Sequence, residues 1–351
     1  MKLSTATTLF LMAGALLFSS FEVKKEIAPA KTDISEFLGQ WGFNIKTGGI
    51  GWLDIRQEKG YIDADVLYQG GSIVPASSVY LAGDVLYIGR GTRKIIRTRD
   101  AAGVETRSMM FPSWLEIKKD GSKITGYLIT PRASGVGADS SYFSGAKMPP
   151  MPARPDLSKV KYGKPISLFN GKDLTGWKPF NPTMAFGFKV VDGTMMNNPV
   201  QTAGQPHLNY TNIRSEREFE DFNLKLEVNV PARSNSGIYL RGLYEVQVEQ
   251  GHIDSRGKDL DSHNIGGLYS RISPTVLAEK PAGEWQTMDI TLVDRHVTVI
   301  LNGVKIIDNQ PVEGPTGGAI STNVNAPGPL ILQGDHAIAS YRNIVITSIL
   351  K

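Results

Sequence analysis

The chain has 351 residues, 41% of them apolar, and a formal net charge of only +4. That length favours two domains over one, and the lack of a Lys/Arg-dense block argues against a nucleic-acid surface. Cysteine is absent, which excludes disulfides, a thiol nucleophile and a lipid-anchored N-terminal cysteine.

Residues 1–20 read as an export signal. Lys2 supplies a positive start, and Leu9 to Phe18 is an apolar run of signal-peptide length, too short to span a bilayer. Ser19 and Ser20 follow, without a clean A-x-A cleavage site. The mature protein is expected in the periplasm or outside the cell, with no membrane span. Without disulfides, its stability has to come from its core.

From 32 to 142 the pattern is a meander of short strands. Gly51–Ile55, Tyr61–Tyr68, Val85–Ile88, Trp114–Ile117 and Lys123–Leu128 alternate or run apolar between turn residues, and no helix-period stretch interrupts them. A small antiparallel barrel or sandwich, closed to protect its edges, is expected. Residues 143–164 read as a Pro-rich linker. The prolines of the run Lys147–Pro155 can donate nothing to a ladder, and the domain boundary is expected near 154.

Residues 165–351 form the second domain. Phe222–Val230 alternates without a break, placing Phe222, Leu224, Leu226, Val228 and Val230 inward. Met288–Val293 and His296–Leu301 are separated by Asp294-Arg295, and Asn302-Gly303 turns into Val304–Ile307, a strong hairpin signal. Leu330–Leu332 and Tyr341–Ile346 complete a set of strands with long connections, the pattern of a two-sheet jelly roll. The expected fold class is all-β, a jelly-roll sandwich preceded by a smaller β domain.

The segment Gly237–Glu249 carries most of the chemistry. Taken as one strand, it places Tyr239, Arg241, Leu243, Glu245, Gln247 and Glu249 on one face and an ordinary apolar set on the other. Two carboxylates and a guanidinium suit the gripping and cleavage of a sugar; a solvated sheet face is the competing reading.

A set of spaced motifs then gives a family resemblance. They are Leu168–Trp177 (LFNGKDLTGW), Asp221-Phe222, Asn235–Gly242 (NSGIYLRG), Tyr244–Val248 and Gly283-Glu284-Trp285, followed by Asn302-Gly303, Leu332-Gln333 with His336, and Tyr341–Ile344. In this order and spacing the C-terminal half resembles the 3-keto-disaccharide hydrolase family, whose fold is a concanavalin-like lectin/glucanase jelly roll. The resemblance implies a carbohydrate substrate whose 3-hydroxyl has been oxidised to a ketone, and cleavage of its glycosidic bond. The ketone acidifies the C2 hydrogen, so one base, one donor at the enolate oxygen and one acid for the leaving group suffice.

On that reading Glu245 is the base, Arg241 clamps the keto oxygen or orients the carboxylate, and His336 serves as general acid or metal ligand. Tyr239, Gln247, Glu249, Asn235, Gln333 and Arg342 are candidate sugar contacts, and Trp177 a candidate stacking platform. Trp177 and Trp285 are equally readable as core, and Arg342 as an ion-pair partner. Two further functions stand beside the first. The pattern Glu245-x-Gln247-x-Glu249 is similar to the E-x-D-x-E strand of retaining β-glucanases, with the central acid replaced. Their carboxylates sit about 5–5.5 Å apart, whereas residues four apart on a strand have Cα atoms about 13 Å apart. A non-catalytic carbohydrate-binding module is the other.

No cofactor is called for. His252, Asp254, Asp259, Asp261 and His263 gather in one loop that could offer ligands to a divalent metal, but no recognisable ligand spacing is met, and a solvated loop is expected. The sequence contains no signal for an oligomeric state.

Overall fold

A computed structural model describes residues 33–251 and 259–350. The export signal read over residues 1–20 lies outside the described residues, as do His252 and Asp254 of the candidate metal loop.

The N-terminal domain is a meander of nine strands: β1 (Gly39–Ile45), β2 (Ile50–Gln57), β3 (Ile62–Tyr68), β4 (Val74–Pro75), β5 (Ser78–Ala82), β6 (Val85–Arg99), β7 (Glu105–Asp120), β8 (Lys123–Pro131) and β9 (Ala138–Lys147). Chain neighbours pair antiparallel except β4 and β5, the two ends of the sheet, and β9 also pairs with β1, with Gly42 opposite Ala146. The remaining gap is bridged by one stretch of chain. Its first part pairs with β3 (Val66 opposite Val74) and its second with β6 (Tyr80 opposite Tyr87). The sheet therefore closes into a barrel, which removes exposed edges. Inside lie Trp41, Phe43, Leu53, Ile55, Val66, Leu86, Ile88, Leu115, Ile117 and Phe143. Phe37, on a single 3₁₀ turn before β1, joins this core, and its carbonyl accepts from Trp41 Nε1 at 2.7 Å.

The linker is shorter than the composition suggests, because β9 runs to Lys147 and Phe143 is a core residue. Nor is the proline run free. A proline cannot donate, yet its carbonyl still accepts: Arg295 Nη1 bonds the carbonyls of Pro149 and Pro150, and Asn309 Nδ2 bonds that of Pro155.

The second domain continues with β10 (Lys161–Tyr162), β11 (Ile166–Ser167), β12 (Trp177–Pro179), β13 (Ala185–Phe186), β14 (Phe188–Val191), β15 (Thr194–Asn197), β16 (Tyr210–Thr211), β17 (Ile213–Phe219), β18 (Phe222–Asn229), β19 (Asn235–Leu240), β20 (Tyr244–Glu249), β21 (Gln286–Val293), β22 (His296–Leu301), β23 (Val304–Pro311), β24 (Gly328–Leu332) and β25 (Ala339–Leu350). One large sheet has the order β14-β15-β25-β18-β21-β22-β23, with β10 and β11 paired to β25; the smaller has the order β12-β17-β24-β19-β20. Neighbours in space are distant in sequence, and the inner faces of both sheets share one apolar core, so the domain is a jelly-roll sandwich. Phe222, Leu224, Leu226, Val228 and Val230 are all in it, as their alternation requires.

The two domains pack on each other through a small apolar cluster of Ile50, Trp52, Leu67 and Met148 with Ala319 and Val324. Beside it the Arg271 guanidinium lies 4.2 Å from the centre of the Trp52 ring. This contact sets the barrel loop between β3 and β4 against the outer face of the smaller sheet.

Candidate active site

The segment read as one strand is a hairpin. Arg241 and Gly242 both have positive φ (57° and 65°), and Leu243 N–H donates to Leu240 C=O at 3.0 Å, so the chain reverses between β19 and β20. The hairpin keeps the polar residues together by another route. Tyr239 pairs with Glu245, Gly237 with Gln247 and Asn235 with Glu249 across the strands, all facing away from the core. Ile238, Leu240, Tyr244, Val246 and Val248 face into it.

Arg241 leaves this set. At the turn its guanidinium swings away, donating through Nη2 to the Val324 carbonyl at 2.8 Å and through Nε and Nη2 to that of Ala326. There it anchors the 324–326 loop, with its donors on backbone carbonyls where a clamp on a keto oxygen was expected. Alternation does not place Arg241, because it sits in the positive-φ turn and belongs to neither strand.

Over the outer face of β19 and β20 lies a cavity of about 420 Å³. Six of the expected residues line it: Asn235, Tyr239, Glu245, Gln247, Gln333 and His336. Glu249 stands beyond its edge on the same strand face, accepting from Gln247 Nε2 at 3.3 Å. Two expected residues lie elsewhere. Trp177 is buried in the core and donates Nε1–H to the Leu168 carbonyl, leaving no ring face for a sugar. Arg342 sits on the large sheet, 2.5 Å from Glu227 and with its guanidinium 4.0 Å from the centre of the Trp285 ring.

Glu245 is the centre of the cavity's chemistry. It is only 4% exposed. Burial, with a further push from the nearby Asp335 charge, raises its carboxyl to about 8, against a smaller lowering by the Tyr239 hydroxyl. The hydrogen bonding agrees. Tyr239 Oη lies 3.0 Å from Glu245 Oε2 and 3.0 Å from the Gly317 carbonyl, two acceptors for one phenolic proton. If Glu245 is protonated, it donates to the phenol and the phenol donates to Gly317, satisfying all three. The carboxyl also needs Gly237, because a Cβ there would fall 2.2 Å from Glu245 Oε1.

The rest of the wall is acceptor-rich. The side-chain oxygens of Gln247 and Gln333 are buried without a partner in the protein, and such groups call for donors such as sugar hydroxyls. The loop carrying Gln333, Asp335 and His336 is pinned by Gln333 N–H to the Gly237 carbonyl and Gly334 N–H to Asn212 Oδ1. His336 Nδ1 lies 3.2 Å from Asp335 Oδ1, both side chains being roughly half exposed at the mouth. Asn212, Tyr269, Asp335 and the pairs Gly70-Gly71 and Gly317-Gly318 also line the cavity. Sequence reasoning gave them no role. Only the two Gly-Gly pairs carried a signal, that of backbone approaching closely.

Among the described residues no group of three or more acidic or histidine side chains could hold a metal ion. In the loop weighed as a metal site and expected to be solvated, Asp261 Oδ1 accepts from the His263 backbone N–H at 2.8 Å.

Comparison with known proteins agrees with this organisation. The family model described as a 3-keto-alpha-glucoside-1,2-lyase-like domain matches residues 164–347. Among solved structures, a candidate glycosyl hydrolase from Parabacteroides distasonis is 28% identical over 56% of this chain and 93% of its own, with a TM-score of 0.40. A second from that organism is 23% identical over 52% and 92%, at 0.43. β-Agarase B from Zobellia galactanivorans is 12% identical over 55% and 94%, at 0.37. No curated protein matches the chain.

Proposed function

This chain belongs to the 3-keto-alpha-glucoside-1,2-lyase-like family, and from that premise we propose that the cavity cleaves 3-keto-glycosides by elimination across C1 and C2. The observation that carries the reading is a nearly buried carboxyl, raised to about 8, in a polar cavity with unpartnered amide oxygens. A desolvated carboxylate is a stronger base than one in water, and the C2 hydrogen beside a ketone is acid enough for it.

The ionised Glu245 takes the C2 proton, and the C2–H electron pair moves into an enolate whose charge rests on the C3 oxygen. The enolate collapses, C1=C2 forms, and the C1–O bond breaks with its pair leaving on the glycosidic oxygen. His336, at the mouth beside Asp335, supplies the proton to that oxygen. Side-chain amide N–H groups of Asn235 and Gln333 are the donors available to the enolate, those of Gln247 being taken by Asn235 Oδ1 and Glu249 Oε2. Water then adds at C1 and a proton returns to C2, giving net hydrolysis. Glu245 and Glu249 do not act as a retaining pair, because Gln247 lies between them and Glu249 is outside the cavity.

Purified protein incubated with matched 3-keto and unoxidised glucosides tests this. Release of the leaving group from the keto compound alone supports the elimination. Release from the unoxidised compound alone would assign a conventional glycosidase, and binding without release a carbohydrate-binding module.

A further inference from the structure

We infer that the N-terminal barrel is part of the substrate site: its segment Gln69–Ile73 forms the wall that restricts the cavity to a terminal keto sugar with a small leaving group. The inference rests on the cavity being the elimination site proposed above. The family match covers only residues 164–347, yet Gly70 and Gly71 line the cavity alongside Glu245.

The wall is fixed by bonds from both domains. Ser72 Oγ lies 3.0 Å from Tyr269 Oη, Ile73 N–H donates to Ser270 Oγ at 2.9 Å, and Gly318 N–H reaches the Gln69 carbonyl at 3.3 Å. Tyr269 itself lines the cavity, so a barrel serine positions a side chain of the site. The backbones of the two Gly-Gly pairs meet directly. A Cβ on Gly317 would fall 2.2 Å from the Gly71 carbonyl oxygen, and Gly71 has φ +78°. Side chains there would force the wall outward. Beneath it the apolar cluster of Trp52, Leu67 and Met148 with Ala319 and Val324 holds the two domains together.

The consequence is steric. The outer face of a jelly-roll sheet is an open groove when nothing covers it, and an open groove accepts an internal stretch of polymer. Here every residue of β20 is buried, and the barrel loop and the Gly317-Gly318 turn share the cavity wall with Glu245 and Gln247. The cavity, open on one side and of about 420 Å³, is near the lower end for small-molecule sites. A sugar of one or two rings suits it, entering with its oxidised ring toward Glu245 and its leaving group toward His336 and the mouth.

Gly70 supplies the test. It has no positive φ, and a Cβ added there meets nothing within 4 Å, so Gly70→Phe narrows the cavity without straining the fold. Turnover of methyl 3-keto-glucoside and of a 3-keto disaccharide is measured for the wild type and Gly70→Phe. Binding of the keto disaccharide is measured by calorimetry in Glu245→Gln with and without Gly70→Phe, and melting temperatures check the fold. The expected result is a loss in kcat/KM at least tenfold greater for the disaccharide than for the methyl glycoside, with at least tenfold weaker binding and an unchanged melting temperature. Equal kinetics and equal binding with and without the Gly70→Phe substitution would overturn the role of the wall while leaving the elimination intact. Conversely, weaker binding by Gly70→Phe in a protein that turns over neither compound would keep the wall and discard the elimination.

Discussion

The Tyr239 hydroxyl lies 3.0 Å from Glu245 Oε2 across a strand pair, and 3.0 Å beyond it stands the Gly317 carbonyl. One phenolic proton therefore has two acceptors, in a site dry enough that ionising the carboxyl is costly. Removing a proton from this chain leaves Tyr239 to choose between the carboxylate and the carbonyl. Burial makes Glu245 a reluctant acid and a strong base, the Tyr239 hydroxyl partly offsets that, and the pH behaviour of the protein follows from the balance.

The rate is expected to climb with pH through about 8, where Glu245 ionises in the free protein. Tyr239→Phe deletes the hydrogen bond that favours the carboxylate, so the rising limb of kcat/KM should move to higher pH. Asp335→Asn deletes a charge that opposes ionisation and should move it lower. Opposite shifts in the two pH profiles identify Glu245 as the titrating base; a limb that stays put in both variants places the base elsewhere.

Stability should also depend on pH. The folded Glu245 carboxyl is raised above its unfolded value of 4.5, so between roughly pH 4.5 and 8 the folded state holds more protons than the unfolded one. By linkage its contribution to stability is full below that window and is lost as pH rises through it. Glu245→Gln removes the ionisation. The variant should melt higher than the wild type at pH 8, by an amount worth up to a few kcal/mol, and the gap should shrink at pH 5. Thermal melts at the two pH values check it; a gap that is constant with pH would contradict the shift.

Two arginines on the site's sequence motifs should separate structure from chemistry. Arg241→Ala strands the carbonyls of Val324 and Ala326 and is expected to lower stability by about 1–3 kcal/mol, with kcat/KM of the folded protein within a few-fold. Arg342→Ala breaks a partly exposed pair with Glu227, worth at most about 1 kcal/mol, and leaves turnover unchanged. Urea titrations with parallel kinetics decide both. A large fall in kcat for Arg241→Ala without loss of stability would restore it as a substrate clamp.

Local pattern was enough for much of this. Alternation identified strands in both domains, though not β1, β9 or β17, and Asn302-Gly303 announced its hairpin. The spaced motifs from Leu168 to Ile344 marked the family, because each reports short-range chemistry: a turn, a core face, a pairing. Tyr239, Glu245, Gln247 and Glu249 were found on one face even though the strand was read without its turn. A pairing that sets Tyr239 opposite Glu245 preserves the parity that a single strand would have shown.

What local pattern could not decide was where long side chains end and what lies opposite them. Arg241 sits in the right motif, but its reach takes it to carbonyls far along the chain, at Val324 and Ala326. Trp177 and Arg342 are held by partners that only the folded sheets bring close. By itself the sequence determined an all-β chain with a jelly roll, which rests on periodicity and residue type, and offered a candidate base through what the spaced family motifs imply. The tertiary structure alone decided that Glu245 is buried, that its carboxyl is pushed up to about 8, and that Gly70 and Gly71 of the barrel line the same cavity. Desolvation and enclosure belong to the space between elements, and that space exists only once the two domains have packed.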